Sequence, residues 1–206
     1  MMRLGVAVAI VLSFCVFAPM AGAQGQAAWK TIHTTGDPNI TIEIPSGLDQ
    51  EGSDVVHPEK GGRMAIFAEA SETTWLFCIL NRNEYSAERT RELWVGRISS
   101  SDFEGMCNKS GDGISNLGTL AHDPPQSTTS NGFPAGTCVS HYTDRNEKHP
   151  GTVFSLMAVA APSALYGLIC EASAEDQGRA IGYWEDRWKE VVTHMQGSLH
   201  LPDAKK

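Results

Sequence analysis

Three expected strands near the C-terminus and the periodic stripe that follows them constrain this chain more than anything else in it. Gly136 to Thr143, Thr152 to Ala160 and Ala164 to Ala172 are joined by Arg145 to Gly151 and by Ala161-Pro162-Ser163. Connections this short do not allow a crossover, so the three strands are expected as successive antiparallel neighbours. The last two are apolar on both alternating sets, with Phe154 and Leu156 set against Val153 and Met157. Strands covered on both faces read this way. Ser173, followed by Glu175 and Asp176, then predicts a helix start, a cap with first-turn acids that suit the dipole. Ile181, Trp184, Trp188, Val191 and Met195 recur at spacings of three and four, which places one apolar stripe on that helix, and Gly197 ends it. Two tryptophans on a stripe suggest a ligand shelf, but burial against the sheet alone accounts for their spacing.

Upstream, Ile40, Ile42 and Ile44 alternate with Thr41 and Glu43, a half-buried strand that stops at Pro45-Ser46-Gly47. Leu48 to Gly62 is acidic and aperiodic and reads as a loop. Arg63 to Ala70 and Thr73 to Leu80 form a hairpin around Ser71-Glu72. The period then changes. Ser86 caps a helix with Thr90, Leu93, Trp94 and Ile98 inward and Glu88, Arg89, Arg91 and Glu92 around them. Cys107 lies in a polar loop, Leu117 to Ala121 make a short strand, and Asp123 to Pro134 form a Pro/Ser/Thr/Gly-rich loop. The order predicts an α+β protein: an antiparallel sheet of about six or seven strands with a helix on each side, an α/β/α sandwich.

The N-terminus supplies an address. Arg3, the apolar run Leu4 to Phe17 and the small residues Ala21-Gly22-Ala23 have the form of a secretory signal cleaved before Gln24. The run stops at Pro19, short of the roughly 20 residues a membrane span requires. Residues 1–23 are therefore read as a signal peptide, 24–38 as a flexible lead-in, 39–201 as a single α+β domain and 202–206 as a tail. Periplasmic or secreted localisation follows. Cys78, Cys107, Cys138 and Cys170 then enter an oxidising compartment, where disulfides are the expected fate. Four cysteines allow three pairings, and nothing in their spacing chooses between them. No Cys-x-x-Cys pattern marks a redox dithiol or a zinc knuckle. A net charge of -8 and the lack of any basic run argue against nucleic acid and anionic membrane surfaces as partners.

Signals for chemistry are sparse. His141 and Asp144 on the strand entering a turn, with His149 beyond it, are the best candidate cluster, since a carboxylate there would orient an imidazole. Polar residues flanking a turn produce the same pattern. Cys138 and His141 lie along one strand, which is not the contact across space that a Cys-His nucleophile needs. Gly111-Asp112-Gly113 is too short to cradle a phosphate, and no Gly-x-Ser-x-Gly elbow occurs. No cofactor and no metal are expected.

In element order the chain resembles the PsbP-like (DcrB-like) α/β/α sandwich, the fold shared by photosystem II extrinsic subunits and a bacterial envelope protein. The resemblance rests on the strand and turn Ile40 to Gly47, the paired strands from Met64 to Leu80 and the mid-chain helix. Three closing strands and a terminal amphipathic helix ending near Ser198-Leu199 complete it. It covers most of residues 39–201; the four cysteines and the Pro-rich loop after His122 are departures. It implies a non-catalytic accessory or binding protein. The expectation is thus an exported binding or accessory protein of the bacterial cell envelope, with an envelope protein or a small molecule as partner. The alternatives are a periplasmic or secreted hydrolase using His141, Asp144 and His149, and a secreted host-interaction factor. A pocket between loop 122–135 and hairpin 144–151 would favour the hydrolase.

Overall fold

The structure, a computed structural model, describes residues 28–34, 36–52, 61–86, 88, 91–92, 98, 103–107, 118–145 and 151–202. The described residues form ten strands in sequence: β1 (Trp29–His33), β2 (Thr41–Pro45), β3 (Asp49–Gly52), β4 (Gly61–Ala70), β5 (Thr74–Glu84), β6 (Gly118–His122), β7 (Gln126–Ser130), β8 (Phe133–Arg145), β9 (Gly151–Ala160) and β10 (Ala164–Ala174). A C-terminal helix over residues 177–198 follows. The main sheet is antiparallel in the order β3-β4-β5-β10-β9-β8-β6, and β7 pairs with the first half of β8. β1 and β2 make a separate hairpin. The predicted α+β sandwich is the observed architecture.

Alternation along the strands sends side chains into two cores. On one face Leu76, Cys78 and Leu80 of β5, Tyr166, Leu168 and Cys170 of β10, and Val153, Met157 and Val159 of β9 are buried together. They are covered by Ala180, Trp184, Trp188, Val192 and Met195 of the C-terminal helix and by Ile40, Ile42, Ile44 and Leu48 of the hairpin region. Each larger aliphatic side chain contributes about 2 kcal/mol by leaving water. On the other face Cys138, Leu156, Ala158 and Ala160 pack with Ile98, Phe103 and Cys107. β9 is therefore apolar on both alternating sets because both faces are covered.

Three segments that read as irregular are strands. β1 lies in the expected lead-in; Trp29 and Ile32 are half-buried against the core, and the full register with β2 supplies the backbone partners. β3 lies in the expected loop after Leu48 and pairs with β4. β7 lies in the Pro-rich loop, held to β8 by a two-residue turn. Asn131 has φ of 50° and Gly132 of 81°, the left-handed pair that twists a tight hairpin correctly. Strand alternation is invisible in Gln-Ser-Thr-Thr-Ser, but the Asn-Gly dipeptide marks the hairpin.

The C-terminal helix starts three residues later than expected. Ser173 is still in β10, buried, with its hydroxyl 3.0 Å from that of Thr152. Asp176 is the cap instead, accepting from the Arg179 amide at 2.8 Å. The buried stripe also shifts: Ala180 and Val192 are buried, whereas Ile181 is 38% exposed. On a regular helix, three steps of four residues from Ala180 to Val192 would rotate the stripe by about 120°. A π-helical turn over Trp184–Trp188, where the Lys189 amide bonds to the Trp184 carbonyl, absorbs that rotation. Of the predicted mid-chain helix, Glu88, Arg91 and Glu92 are helical and exposed and Ile98 is buried. Arg89, Thr90, Leu93 and Trp94 lie outside the described residues, as do the leader 1–23 and residues 203–206.

The cysteines pair as Cys78–Cys170 and Cys107–Cys138. The first joins directly opposed residues of β5 and β10 inside the first core. The second ties the helical turn 103–107 to β8 on the other face. The chain ends are clasped as well. Thr41 and His200 exchange two backbone hydrogen bonds of 3.1 and 2.8 Å. The Glu43 amide donates to Ser198 Oγ at 3.0 Å. His194 Nε2 lies 2.7 Å from Glu43 Oε2 while its ring stacks on Trp29, centroids 3.7 Å apart.

Replacing each cysteine pair by alanine should lower stability by an amount that grows with the logarithm of loop length, about 4.6 kcal/mol for the 92-residue loop and about 3.7 kcal/mol for the 31-residue one. Urea denaturation of the two double variants against the oxidised parent measures the order. Close packing gives a second ranking. A Cβ at Gly151 would overlap the carbonyl of Asp176, which is backbone, whereas one at Gly136 would meet the buried Phe103 ring at 2.6 Å, a side chain that must move as a whole. Gly151→Ala is expected to cost about 3 kcal/mol or more and Gly136→Ala distinctly less, read from the same denaturation midpoints.

Candidate functional site

Two walls enclose a groove with a cavity volume of about 450 Å³. β7, β8 and β9 form one wall, placed by the Asn131-Gly132 turn and by full antiparallel registers. The C-terminal helix forms the other, through Lys189, Val192, Thr193, Gln196 and Gly197. Those positions recur at spacings that keep them on one side of the helix. The floor is apolar, made by Val139, Met157, Trp184 and Val192.

Most remaining lining groups are neutral hydrogen bonders: Gln126, Thr128, Thr129, Ser130, Thr137, Ser155 and Thr193. Ser155 is buried, and its hydroxyl accepts from Gln196 Nε2 at 3.0 Å, which fixes helix to sheet across the base of the groove. Thr193 donates to the Lys189 carbonyl at 2.7 Å. Asn131 Nδ2 and the Ser130 hydroxyl both reach the Leu199 carbonyl and close one end. Asp123 and Lys189 are the charged lining residues. Glu185, 2.8 Å from Lys189 Nζ, holds that ammonium above the usual lysine range, and Asp123 adds to the effect. The lysine is thus a paired cation at the rim.

The candidate cluster at the β8 turn is placed differently. His141 is half-buried, opposite Ala121 on β6 and Val153 on β9. Asp144 lies opposite Thr119, beyond a register slip where β8 carries an extra residue. His149 lies outside the described residues. The groove lies between residues 123–130 and the C-terminal helix; His141 is not among its described lining residues, and residues 146–150 of the expected hairpin lie outside the described residues. Cys138 lines it but is disulfide-bonded to Cys107. His122 Nδ1 lies 2.6 Å from the Ser140 hydroxyl as a cross-strand pair. Among the described residues no three His, Cys, Asp or Glu side chains gather as metal ligands.

A shallow depression elsewhere is lined by Glu84, Tyr85, Glu88, Arg91, Pro162 and Ser163. Tyr85 donates to the Ala161 carbonyl at 2.6 Å. Burial pushes its phenol up to about 12 despite the nearby Arg91 cation, so it stays a neutral donor. Of the groove residues, Trp184 and the segment 122–135 drew notice in the sequence, while the helix edge Lys189, Thr193 and Gln196 did not. The Asn-Gly turn and the polar edge Lys189, Thr193, Gln196 of an otherwise amphipathic helix are the signals that point to them.

No protein-family model and no curated protein matches the sequence. Solved structures do. The solution structure of cyanobacterial PsbP (CyanoP) from Synechocystis sp. PCC 6803 superposes with a TM-score of 0.51 at 13% identity, covering 87% of this chain and 96% of that one. The Saccharomyces cerevisiae Ran-binding protein Mog1p gives 0.50 at 9% identity, over 86% and 97%. LpqN of Mycobacterium tuberculosis, involved in cell envelope biogenesis, gives 0.47 at 13%, over 84% and 91%. Among the described residues no helix is long and apolar enough to cross a membrane. At such identities the shared property is architecture, and the chain has the PsbP-like fold.

Proposed function

We propose that this chain is an exported, non-catalytic binding or accessory protein of the bacterial cell envelope, working through the groove beside its C-terminal helix. The observation that carries the reading is the pair of disulfides, one inside each of the two cores. Such staples persist only in an oxidising compartment, which agrees with the form of residues 1–23. The groove supports binding over catalysis. Its fixed hydroxyls are engaged by an amide and a backbone carbonyl, Ser155 by Gln196 and Thr193 by Lys189, not by a base that would activate them. The fold lends itself to the role, since Mog1p, which shares it, is a Ran-binding protein. The partner we assign is an envelope protein or a small molecule.

Expression of the full chain in a bacterial host, followed by fractionation and intact-mass measurement, tests this. The expected product starts at Gln24, is found outside the cytoplasm, and is lighter than its reduced form by the hydrogens of two disulfides. An uncleaved cytoplasmic chain with free thiols would overturn the reading. Recovery in the culture medium alone would favour the secreted host-interaction factor.

A further inference from the structure

The groove has a chemical character narrower than "binding". The chain carries a net charge of -8, yet the groove lining is close to neutral, with Asp123 set against Lys189 and the latter already paired with Glu185. Among the described lining residues an anionic ligand would find only Lys189, already paired with Glu185. A purely apolar ligand would strip water from the groove hydroxyls without replacing their hydrogen bonds. Ser130 and Ser155 are buried and bonded to Leu199 and Gln196, so they brace the wall and base, while the exposed Gln126, Thr128 and Thr129 present the groove's free polar groups. Hydroxyls and carboxamides both donate and accept. Above an apolar floor of Val139, Met157 and Trp184, they suit a ligand whose edges are hydroxyls and whose faces are C–H.

Gly197 shapes the helix wall of the groove. It lies inside the helix at Lys189–Ser198 without a left-handed φ, so the backbone does not require glycine. A Cβ there would meet nothing within 4 Å, so packing does not require it either. Glycine in a helix is destabilising, and this one faces the groove. Its service is to keep that wall low.

We propose that the groove between the C-terminal helix and the β7–β8–β9 wall binds a short neutral oligosaccharide. The proposal rests on the reading of the chain as a binding protein but not on its export. Titration of the purified, oxidised chain with chitotriose, maltotriose and cellotriose, followed by amide shifts in 1H–15N spectra, tests it. At least one sugar is expected to saturate with a Kd of about 1 mM or tighter, moving the amides of Thr128, Thr137, Thr193 and Gly197. Gly197→Leu should weaken that binding at least about tenfold, with a Tm equal to or above the parent's. Thr128→Val, which removes a hydroxyl while keeping the volume, should weaken it about threefold or more. The proposal is overturned if no sugar moves these amides, if binding survives Gly197→Leu, or if a neutral Gly-Ser-Thr-Thr peptide moves them and the sugars do not. Because the assay uses purified protein, a negative result here leaves export and protein binding standing, and failed export leaves this result standing.

Discussion

The ladder between β5 and β10 is the constraint on which the rest of the structure depends. Its register runs without a slip from Ala164 opposite Glu84 to Ala174 opposite Thr74. On one side of it lie β3 and β4, on the other β9, β8 and the strands that pair with β8. Among the described residues no other strand pairing joins the two groups within the main sheet. Forming it closes a long loop, an entropic cost that grows slowly with length but is met before any contact repays it. The Cys78–Cys170 bridge crosses the ladder at directly opposed residues and removes that cost from the unfolded chain. β10 leads straight into Asp176 and the C-terminal helix, so the ladder also sets where the helix lies and hence where the groove opens.

Much of this was readable in the residues. β9 and β10 carry apolar side chains on both alternating sets, and two covered faces explain them. The Ile40-Ile42-Ile44 alternation is β2, the run to Leu80 is the β4–β5 hairpin, and the periodic stripe with its two tryptophans is a buried helix face. What escaped was structure held by partners and not by pattern. β1 has only two inward apolar residues and exists because β2 accepts its backbone. β7 has no apolar residue at all and exists because a left-handed Asn-Gly turn returns it to β8. The shift from Ile181 to Ala180 follows from a π turn, a backbone event that a 3.6-residue template does not contain.

The groove was hidden for the same reason. One wall is the strand that composition disguised as a loop, and the other is the polar margin of a helix whose apolar face drew the attention. Sequence reasoning looked for groups that react, and found His141, Asp144 and His149. The groove is lined instead by Thr128, Ser155, Thr193 and Gln196, whose types are too common to stand out one at a time. Likeness to proteins such as CyanoP and Mog1p carries the layers and the strand order, but at 13% and 9% identity it does not carry the lining. Chemistry on this scaffold belongs to the individual chain.

The cysteine connectivity has a consequence for how the molecule is made. The pairs are nested: Cys107–Cys138 lies within the span bounded by Cys78 and Cys170. A polypeptide entering an oxidising space N-terminus first presents Cys78 and then Cys107, which are not partners. Pairing in order of arrival would lock β5 to the segment that belongs on the opposite face of the sheet. The correct outer bridge must wait for β10, almost the last strand to arrive, or be reached by exchange from a wrong one. On the proposed reading of the chain as exported, this nested connectivity calls for thiol–disulfide exchange during folding, because pairing in order of arrival gives the wrong bridge.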